Sequence, residues 1–256
     1  MDWLYTVSGL AVGLLVGMTG VGGGALMTPL LVLGFNVPPI VAVGTDLLFA
    51  AATKTVATAT HGWQGTVQWR VVGLLAAGSL PATLVTLNYL AELQTQAEAL
   101  DDVIRLTLGI ALFLTAVLLL VRDRISKFIT LHPSRQNANL VALLTILSGA
   151  ALGVLVTVSS IGAGAIGIVI LSLLYPKLAT AKIVGTDIAH AVPLTLIAGI
   201  GHFHLGSVDT HLLFWLLLGS IPGVYIGSRL SQRMPEKTIR MVLASILFGV
   251  SFTLVT

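Results

Sequence analysis

The stretch Thr19–Gly24, which reads TGVGGG, lies inside an apolar run that extends from Trp3 to Phe35. A glycine in a helix interior costs about 1 kcal/mol relative to alanine, so the four glycines of this stretch interrupt a helix. Both flanks are apolar, which places the interruption at membrane depth, where irregular backbone must be buried in protein or line a cavity. The sequence therefore predicts a membrane helix broken into short pieces near 4–18 and 25–34.

The composition is typical of an integral membrane protein. Of the 256 residues, 56% are hydrophobic and only 9% are charged, whereas a soluble domain has about 25% charged residues. The chain has no cysteine and hence no disulfide or thiolate metal site, and we expect neither a metal nor a cofactor. The net charge of +3 is spread over loops and argues against a nucleic-acid partner. An integral, multi-pass helical membrane protein is therefore expected.

The second half of the chain repeats the first. An offset of 140 residues relates the two glycine-rich stretches, and one extra residue raises the offset to 141 for the motifs that follow. Chance matching of apolar letters does not easily give G-T-D, a histidine and G-S-x-P in one order at one offset. The matched pairs are Thr19–Gly24 with Ser159–Gly164, Val43–Asp46 with Val184–Asp187, His61 with His202, and Gly78–Pro81 with Gly219–Pro222.

The duplication divides the chain into a first membrane repeat over 1–122, a cytoplasmic linker over 123–138 and a second membrane repeat over 139–256. Each repeat is expected to contain a glycine-broken helical hairpin and three spanning helices, because a span needs about 20 apolar residues. The predicted fold is thus all-α, with 8–10 membrane segments. The full spans are predicted near 40–61, 70–90, 103–121, 181–202, 210–229 and 239–255, and a second broken run covers 140–174.

Loop charges predict that the two repeats are inverted. The loop 230–238 and the linker are rich in Lys and Arg and are therefore cytoplasmic, whereas the loop 91–102 is acidic and lacks both. These two loops occupy equivalent places in the repeats but opposite sides of the membrane. Such an inversion needs an odd number of membrane crossings per repeat. Five crossings per repeat meet this requirement and place both termini outside. Inverted repeats with paired glycine interruptions are typical of secondary transporters, and the interruptions indicate the binding site.

Together these motifs resemble the TauE/SafE family of sulfite and organosulfonate exporters. The resemblance rests on the broken glycine segments, the G-T-D stretch, the His-x3-Gly turn and the Gly-Ser-x-Pro span, and it covers essentially the whole chain. It implies a transporter that moves a small sulfur-containing anion across the plasma membrane. The inverted repeats favour alternating access as the mechanism.

The two glycine breaks form the predicted anion site. A helix that begins after a break directs its free N–H groups and its positive dipole end at the break, and this attracts an anion. Close packing of helices through small residues is the alternative explanation of the glycines. The candidate substrate-binding residues are Thr19, Gly20, Gly22, Gly23 and Gly24 in the first break, Ser159, Ser160, Gly162 and Gly164 in the second, and Lys54.

Charged or titratable residues that lie several positions inside a predicted span are candidates for the site: Asp46, Lys54, Asp187 and His190. A carboxylate at the bilayer centre costs about 2.5–3.5 kcal/mol and normally faces a cavity or a partner, which makes Asp46 and Asp187 candidates for proton coupling. Capping of a helix near the membrane face is an equally weighted alternative for both. His190 lies three residues after Asp187 on the same helix face and is grouped with them. Lys54, which corresponds to Thr195, is either the counter-charge of the anion or an ion-pair partner of an aspartate.

Two other function classes remain open. Asp46 and Asp187 also fit an intramembrane aspartyl-type hydrolase, and the same composition fits an anion channel. The transporter is favoured over an enzyme because duplication explains both aspartates, whereas catalysis leaves the glycine breaks unexplained. The expected partners are a small anion and the lipid bilayer, and homo-oligomerisation is left open. His61 and His202 fall at span ends and are interpreted first as membrane-interface residues and second as proton relays.

Overall fold

The computed structural model describes residues 2–19, 24–63, 65–94, 97–131, 137–230 and 236–255. Every regular element in these ranges is a helix, which satisfies the backbone polar groups within each apolar segment. The helices are α1 (Asp2–Thr19), α2 (Gly24–Pro29, continued by a π-helical turn at Leu30–Gly34), α3 (Pro39–Trp63), α4 (Trp69–Leu93), α5 (Ala97–Leu131), α6 (Ala138–Ser159), α7 (Ala165–Leu174), α8 (Thr180–His204), α9 (Thr210–Leu230) and α10 (Glu236–Val255).

The prediction of an all-α multi-pass membrane protein is confirmed. Within the described ranges, six helices are long and apolar enough to cross a membrane, and four shorter apolar helices accompany them. Large apolar side chains such as Leu84, Val85, Phe113 and Phe252 are about half exposed or more, as expected of a surface that faces lipid. The inverted relation of the repeats remains a prediction.

The second glycine break separates α6 from α7. Ser160 ends α6 in a left-handed conformation with a φ of 57°, and Gly162 and Gly164 both have a φ of 130°, which side-chain-bearing residues rarely adopt. The helix α7 has only 10 residues, about half the length of a membrane span. In the first half, α1 and α2 end and begin beside the break as predicted, while Gly20–Gly23 lie outside the described residues.

The two halves of the chain contact each other through two equivalent pairs of helices. The helix α1 of the first half packs on α9 of the second, where Gly9 lies against the backbone of Leu216. The helix α6 packs on α4 in the same way, with Gly149 against the backbone of Leu75. Small residues permit this close approach of membrane helices. Further glycines at the two interfaces are Gly13, Gly219, Gly223 and Gly227 for α1–α9, and Gly78 and Gly153 for α4–α6.

Helices that occupy equivalent places in the two halves of the sequence and pack against each other run antiparallel. Near the start of α3, Gly44 lies against His202 at the end of α8, and one turn further along α3, Leu48 meets Gly199. The chain directions of α3 and α8 are therefore opposed. The α5–α10 contacts have the same order, since the Ser251 hydroxyl donates to the Gly109 carbonyl at 2.9 Å and Phe248 lies against Phe113 at 5.6 Å between ring centroids.

The helix α5 extends further than predicted. The polar segment that starts at Arg122 was expected to be a loop, but α5 continues to Leu131. Lys and Arg favour helices, and the first strong helix breaker in this stretch is Pro133. The remainder of the predicted linker up to residue 136 lies outside the described residues, and the division into repeats and linker remains a prediction.

Candidate functional site

A cluster of four buried polar side chains lies beside the second glycine break. Asp46 and Lys54 belong to α3, and Asp187 and His190 belong to α8. Their exposed fractions are 0%, 6%, 1% and 0%, respectively. Lys54 interacts electrostatically with the other three. The structure therefore brings together all the titratable residues that the sequence indicated for the site, and we call these four residues the charge cluster.

Lys54 ties α3 to the broken backbone between α6 and α7. Its Nζ donates a hydrogen bond to the carbonyl oxygen of Ala163 at 3.2 Å. Ala163 stands between the two glycines with positive φ, where the chain is not helical and its carbonyl is free to accept such a bond. Among the described residues, Lys54 is the only cationic side chain that interacts with the two carboxylates of the cluster.

Asp46 contacts both halves of the molecule. The hydroxyl of Thr28, in α2, donates a hydrogen bond to Asp46 Oδ2 at 2.5 Å. The hydroxyl of Ser160 lies beside the same carboxylate but does not reach hydrogen-bond geometry. Asp46 Oδ1 has no hydrogen-bond partner among the described residues. The carboxylate therefore lies between the short helix after the first break and the residue that begins the second.

Asp187 is held by packing rather than by hydrogen bonds. Its carboxylate rests on Gly167 in the first turn of α7, where an added Cβ would overlap Oδ1. The backbone N–H of Gly164 faces the carboxylate without completing a hydrogen bond, and neither oxygen has a partner in the described part of the chain. One turn along α8, His190 Nε2 lies 2.9 Å from the Ser79 hydroxyl of α4. His190 Nδ1 has no described partner.

The interpretation of Asp46 and Asp187 as helix caps is wrong. The helix α3 begins at Pro39 and α8 begins at Thr180, so each aspartate lies two turns inside its helix. Proline is favoured at the first position of a helix, and this places the start of α3 upstream of Asp46. Both carboxylates are consequently interior groups at the centre of the bundle.

The threonines that precede the aspartates have a structural role. Thr45 Oγ1 accepts a hydrogen bond from the backbone N–H of Asp209 at 3.0 Å, and Thr186 Oγ1 accepts one from the N–H of Gln68 at 3.0 Å. The four residues are two equivalent pairs at the offset of 141 residues. Each threonine therefore secures the entry to a helix of the other repeat, which accounts for the G-T part of the G-T-D stretch.

The other predicted site residues differ in what they contact. Ser160 and Gly164 lie beside the charge cluster. The hydroxyl of Ser159 is hydrogen-bonded to neighbouring backbone: it donates to the Leu155 carbonyl at 2.6 Å and accepts from the Ile161 N–H at 3.2 Å. Gly162 shapes the break through its positive φ. For the first break, Gly20, Gly22 and Gly23 lie outside the described residues, as do the side chain of Thr19 and the surroundings of Gly24.

Sequence reasoning missed Thr28, Ser79 and the carbonyl of Ala163, and it misplaced His202. The interface interpretation of His202 is wrong, because this side chain is fully buried and its Nε2 lies 2.9 Å from the Thr157 carbonyl near the end of α6. Since a carbonyl only accepts, Nε2 carries the proton of that bond. Thr28 was detectable as a hydroxyl residue in the apolar run after the first break. The side chain of His61 lies outside the described residues.

Apolar helices packed through glycines around a buried charge cluster define a polytopic membrane protein with a polar interior site. The sequence pattern of the sulfite exporter TauE/SafE family matches residues 5–254. The chain belongs to this family, as the sequence motifs indicated, and it is a membrane transporter.

Named relatives agree with this assignment. The chain is 42% identical over 246 residues to the probable membrane transporter protein YjnA of Bacillus subtilis (strain 168), covering 93% of this chain and 94% of that protein. It is 30% identical over 233 residues to the probable membrane transporter protein YdhB of the same organism, covering 89% of each. A probable membrane transporter protein of Xylella fastidiosa (strain 9a5c) is 28% identical over 236 residues, which cover 88% of this chain and 83% of that protein. No solved structure matches the chain.

Proposed function

We propose that the protein is a secondary transporter that moves a small sulfur-containing anion, of the sulfite or organosulfonate class, across the plasma membrane by alternating access. The observation that carries this proposal is the buried ammonium of Lys54, which lies between a glycine break and two carboxylates. Burying a charge inside a membrane protein costs free energy, so such a charge normally has a partner or marks a functional site. The family name supplies the class of anion.

The anion is expected to bind at Lys54 by replacing the carbonyl of Ala163. That carbonyl is a neutral acceptor 3.2 Å from Nζ, and a sulfite or sulfonate oxygen makes a stronger, charge-assisted hydrogen bond. The hydroxyl of Ser160, which has no described hydrogen-bond partner, is available as a second donor. The N-terminus of the 10-residue helix α7 adds a positive dipole end on the same side.

Charge balance supports proton coupling. With Asp46, Asp187 and Lys54 ionised and His190 neutral, the cluster is negative by one charge and repels an anion. Uptake of one proton by a carboxylate makes the cluster neutral before the anion arrives. Anion affinity and proton affinity then reinforce each other, because such coupling is reciprocal. Transport should consequently be faster as the pH falls.

The reciprocal contacts between the halves support an inverted-repeat mechanism. Two helices that are repeat equivalents and run antiparallel, such as α3 and α8, are related by a two-fold axis perpendicular to the helices. For spanning helices such an axis lies in the membrane plane, which is the arrangement of inverted-topology transporters. These two helices, α3 and α8, also contribute all four residues of the charge cluster.

A labelling experiment tests the inversion. In a chain without native cysteine, Gln96→Cys and Pro235→Cys are expected to react with a membrane-impermeant maleimide from opposite sides of the membrane. Intact cells should label the first variant, and inside-out vesicles should label the second. Labelling of both variants from one side would rule out inverted repeats. Permeabilised membranes, in which both must react, provide the control.

A hydrolase is disfavoured by the geometry of the two carboxylates. An aspartyl dyad needs two carboxyl groups close enough to share one proton. Here Asp46 accepts a hydrogen bond from Thr28, Asp187 rests on Gly167, and the ammonium of Lys54 interacts with both carboxylates. We therefore propose a transporter rather than an enzyme.

The transport activity is tested by reconstitution into proteoliposomes. We expect uptake of radiolabelled sulfite or 2-hydroxyethanesulfonate above the level of protein-free liposomes, driven by an imposed proton gradient and abolished by a protonophore. Saturation with anion concentration and exchange across the membrane without a gradient distinguish a carrier from a channel. Absence of flux for both anions would contradict the proposed substrate class.

A further inference from the structure

The surroundings of the two equivalent aspartates differ at three buried positions. Each half of the chain has an Asp at the equivalent position, but the side chains near the two aspartates differ. Each difference changes the polarity near a carboxylate. All six residues concerned are buried. The pairs are Thr28 with Ile168, Phe49 with His190, and Lys54 with Thr195.

Asp46 has the surroundings of a permanent carboxylate. Thr28 donates a hydrogen bond to it at 2.5 Å, whereas the positive charge of Lys54 acts on both carboxylates and does not distinguish Asp46 from Asp187. A hydroxyl that donates to a carboxylate forms a charge-assisted hydrogen bond, which is stronger than a neutral one. Phe49 occupies the position equivalent to His190, so the first repeat offers no imidazole there to exchange a proton with Asp46.

Asp187 has the surroundings of a carboxyl group that can be neutral. The position equivalent to Thr28 is Ile168, which has no hydroxyl, and no described residue completes a hydrogen bond to either oxygen. A buried carboxylate without donors is costly, whereas the carboxylic acid is tolerated. The nearest titratable group on its own helix is His190, whose Nδ1 is buried and has no described partner.

The charged groups that face Asp187 are few. The helix α3 contributes Lys54, which interacts with Asp187, and α8 contributes His190, three residues after Asp187 on the same helix. The helix α7 contains no charged residue and presents Gly164 and Gly167. The helix α4 contributes the Ser79 hydroxyl through its contact with His190, and its charged residues Arg70 and Glu92 lie near the ends of the helix. Within the described residues, proton exchange with Asp187 therefore points to His190.

We propose that Asp187 is the group that takes up and releases the transported proton, that His190 relays this proton, and that Asp46 remains ionised through the hydrogen bond that it accepts from Thr28. This inference rests on the proposed transport function and assigns different roles to two aspartates that the duplication made equivalent. When His190 Nε2 donates to Ser79, Nδ1 is a free acceptor. A proton from water binds Nδ1 and passes to a carboxylate oxygen of Asp187, and the reverse transfer releases it. No electron transfer is involved.

Infrared spectroscopy tests the assignment without requiring transport. Near neutral pH, the purified protein in lipid should show the C=O stretching band of a protonated carboxyl group. Asp187→Asn should remove this band, and Asp46→Asn should leave it in place. A band that disappears in Asp46→Asn and persists in Asp187→Asn would overturn the proposal, as would the absence of any such band at every pH at which the protein transports.

Flux measurements provide the second arm. The probe is 2-hydroxyethanesulfonate, because a sulfonate remains a monoanion over the whole pH range in which sulfite titrates. Asp187→Asn should lose both the acceleration of exchange by acid and the accumulation driven by a proton gradient. Asp46→Asn should lower exchange and driven uptake together, by about 10-fold or more, because the buried ammonium of Lys54 loses one of the two carboxylates that interact with it.

These outcomes separate the inference from the function on which it rests. A wild-type protein that transports neither sulfite nor the sulfonate contradicts the proposed function, and the infrared result still decides which carboxyl group is protonated. If proton-driven uptake is equally fast in the wild-type protein and in Asp187→Asn, the inference is contradicted while the proposed function stands. His190→Gln should slow proton-driven uptake by a larger factor than exchange without a gradient, and equal factors for the two would contradict a relay role.

Discussion

Lys54→Met is expected to reduce anion transport by about 100-fold or more while the protein still inserts and folds. Methionine has nearly the length of lysine and is apolar, so it fills the same interior space, and the hydrogen bond to Ala163 and the charge next to both carboxylates are lost. Breaking a buried charge pair costs roughly 3–5 kcal/mol, and the proposed anion site loses the only cationic side chain that the described residues place there.

The measurement is uptake into proteoliposomes at equal protein density, with size-exclusion chromatography to verify folding. Lys182→Met is the matched control, since it makes the same substitution at an exposed position near the start of α8 and should transport at the wild-type rate. Lys54→Arg keeps the charge and should retain part of the activity. A Lys54→Met protein that transports normally would show that Lys54 serves packing only.

Gly78→Ala is expected to destabilise the bundle more than any other single added methyl group on α4. The glycine lies where the backbone of Ile146 in α6 comes closest, and an added Cβ would overlap the Ile146 carbonyl oxygen. Backbone cannot move aside as a flexible side chain can, so α4 and α6 must separate. Overpacking of this kind costs about 1–3 kcal/mol, and lost protein expression is the extreme outcome.

Thermal unfolding in detergent measures the effect. Gly73→Ala is the matched control on the same helix, because nothing lies within 4 Å of an added Cβ there. Alanine favours a helix by about 1 kcal/mol over glycine, so the control should be neutral or slightly stabilised. Equal melting temperatures for Gly78→Ala and Gly73→Ala would contradict the close contact between α4 and α6.

The repeat explains why much of the fold was predictable. The offset between the halves located the two breaks, but it assigned no role to the glycines of α1 and α6 that lie outside the breaks. The structure assigns Gly9 and Gly149 to packing. Hydropathy did not reveal the partner of each helix, because α1 and α6 each pack on a helix of the other half.

The site was predictable in its residues but not in its connections. A charge inside an apolar span is visible in sequence, and this signal found Asp46, Lys54 and Asp187. The partner of Lys54 is a backbone carbonyl 109 residues away, which no side-chain pattern encodes. His202 was misjudged because the end of an apolar run was equated with the membrane surface, whereas the end of α6 covers that position.

The pairing of α1 with α9 has a consequence for biosynthesis. Gly9 enters the membrane first, and its contact residue, Leu216, is translated about 200 residues later. At about 5–20 residues per second, the glycine face of α1 stays without its partner for about 10–40 s. During that interval this face is open to any small-residue helix nearby, because such faces associate readily in lipid. The nascent chain must therefore be shielded, by lipid or by the insertion machinery, until α9 arrives.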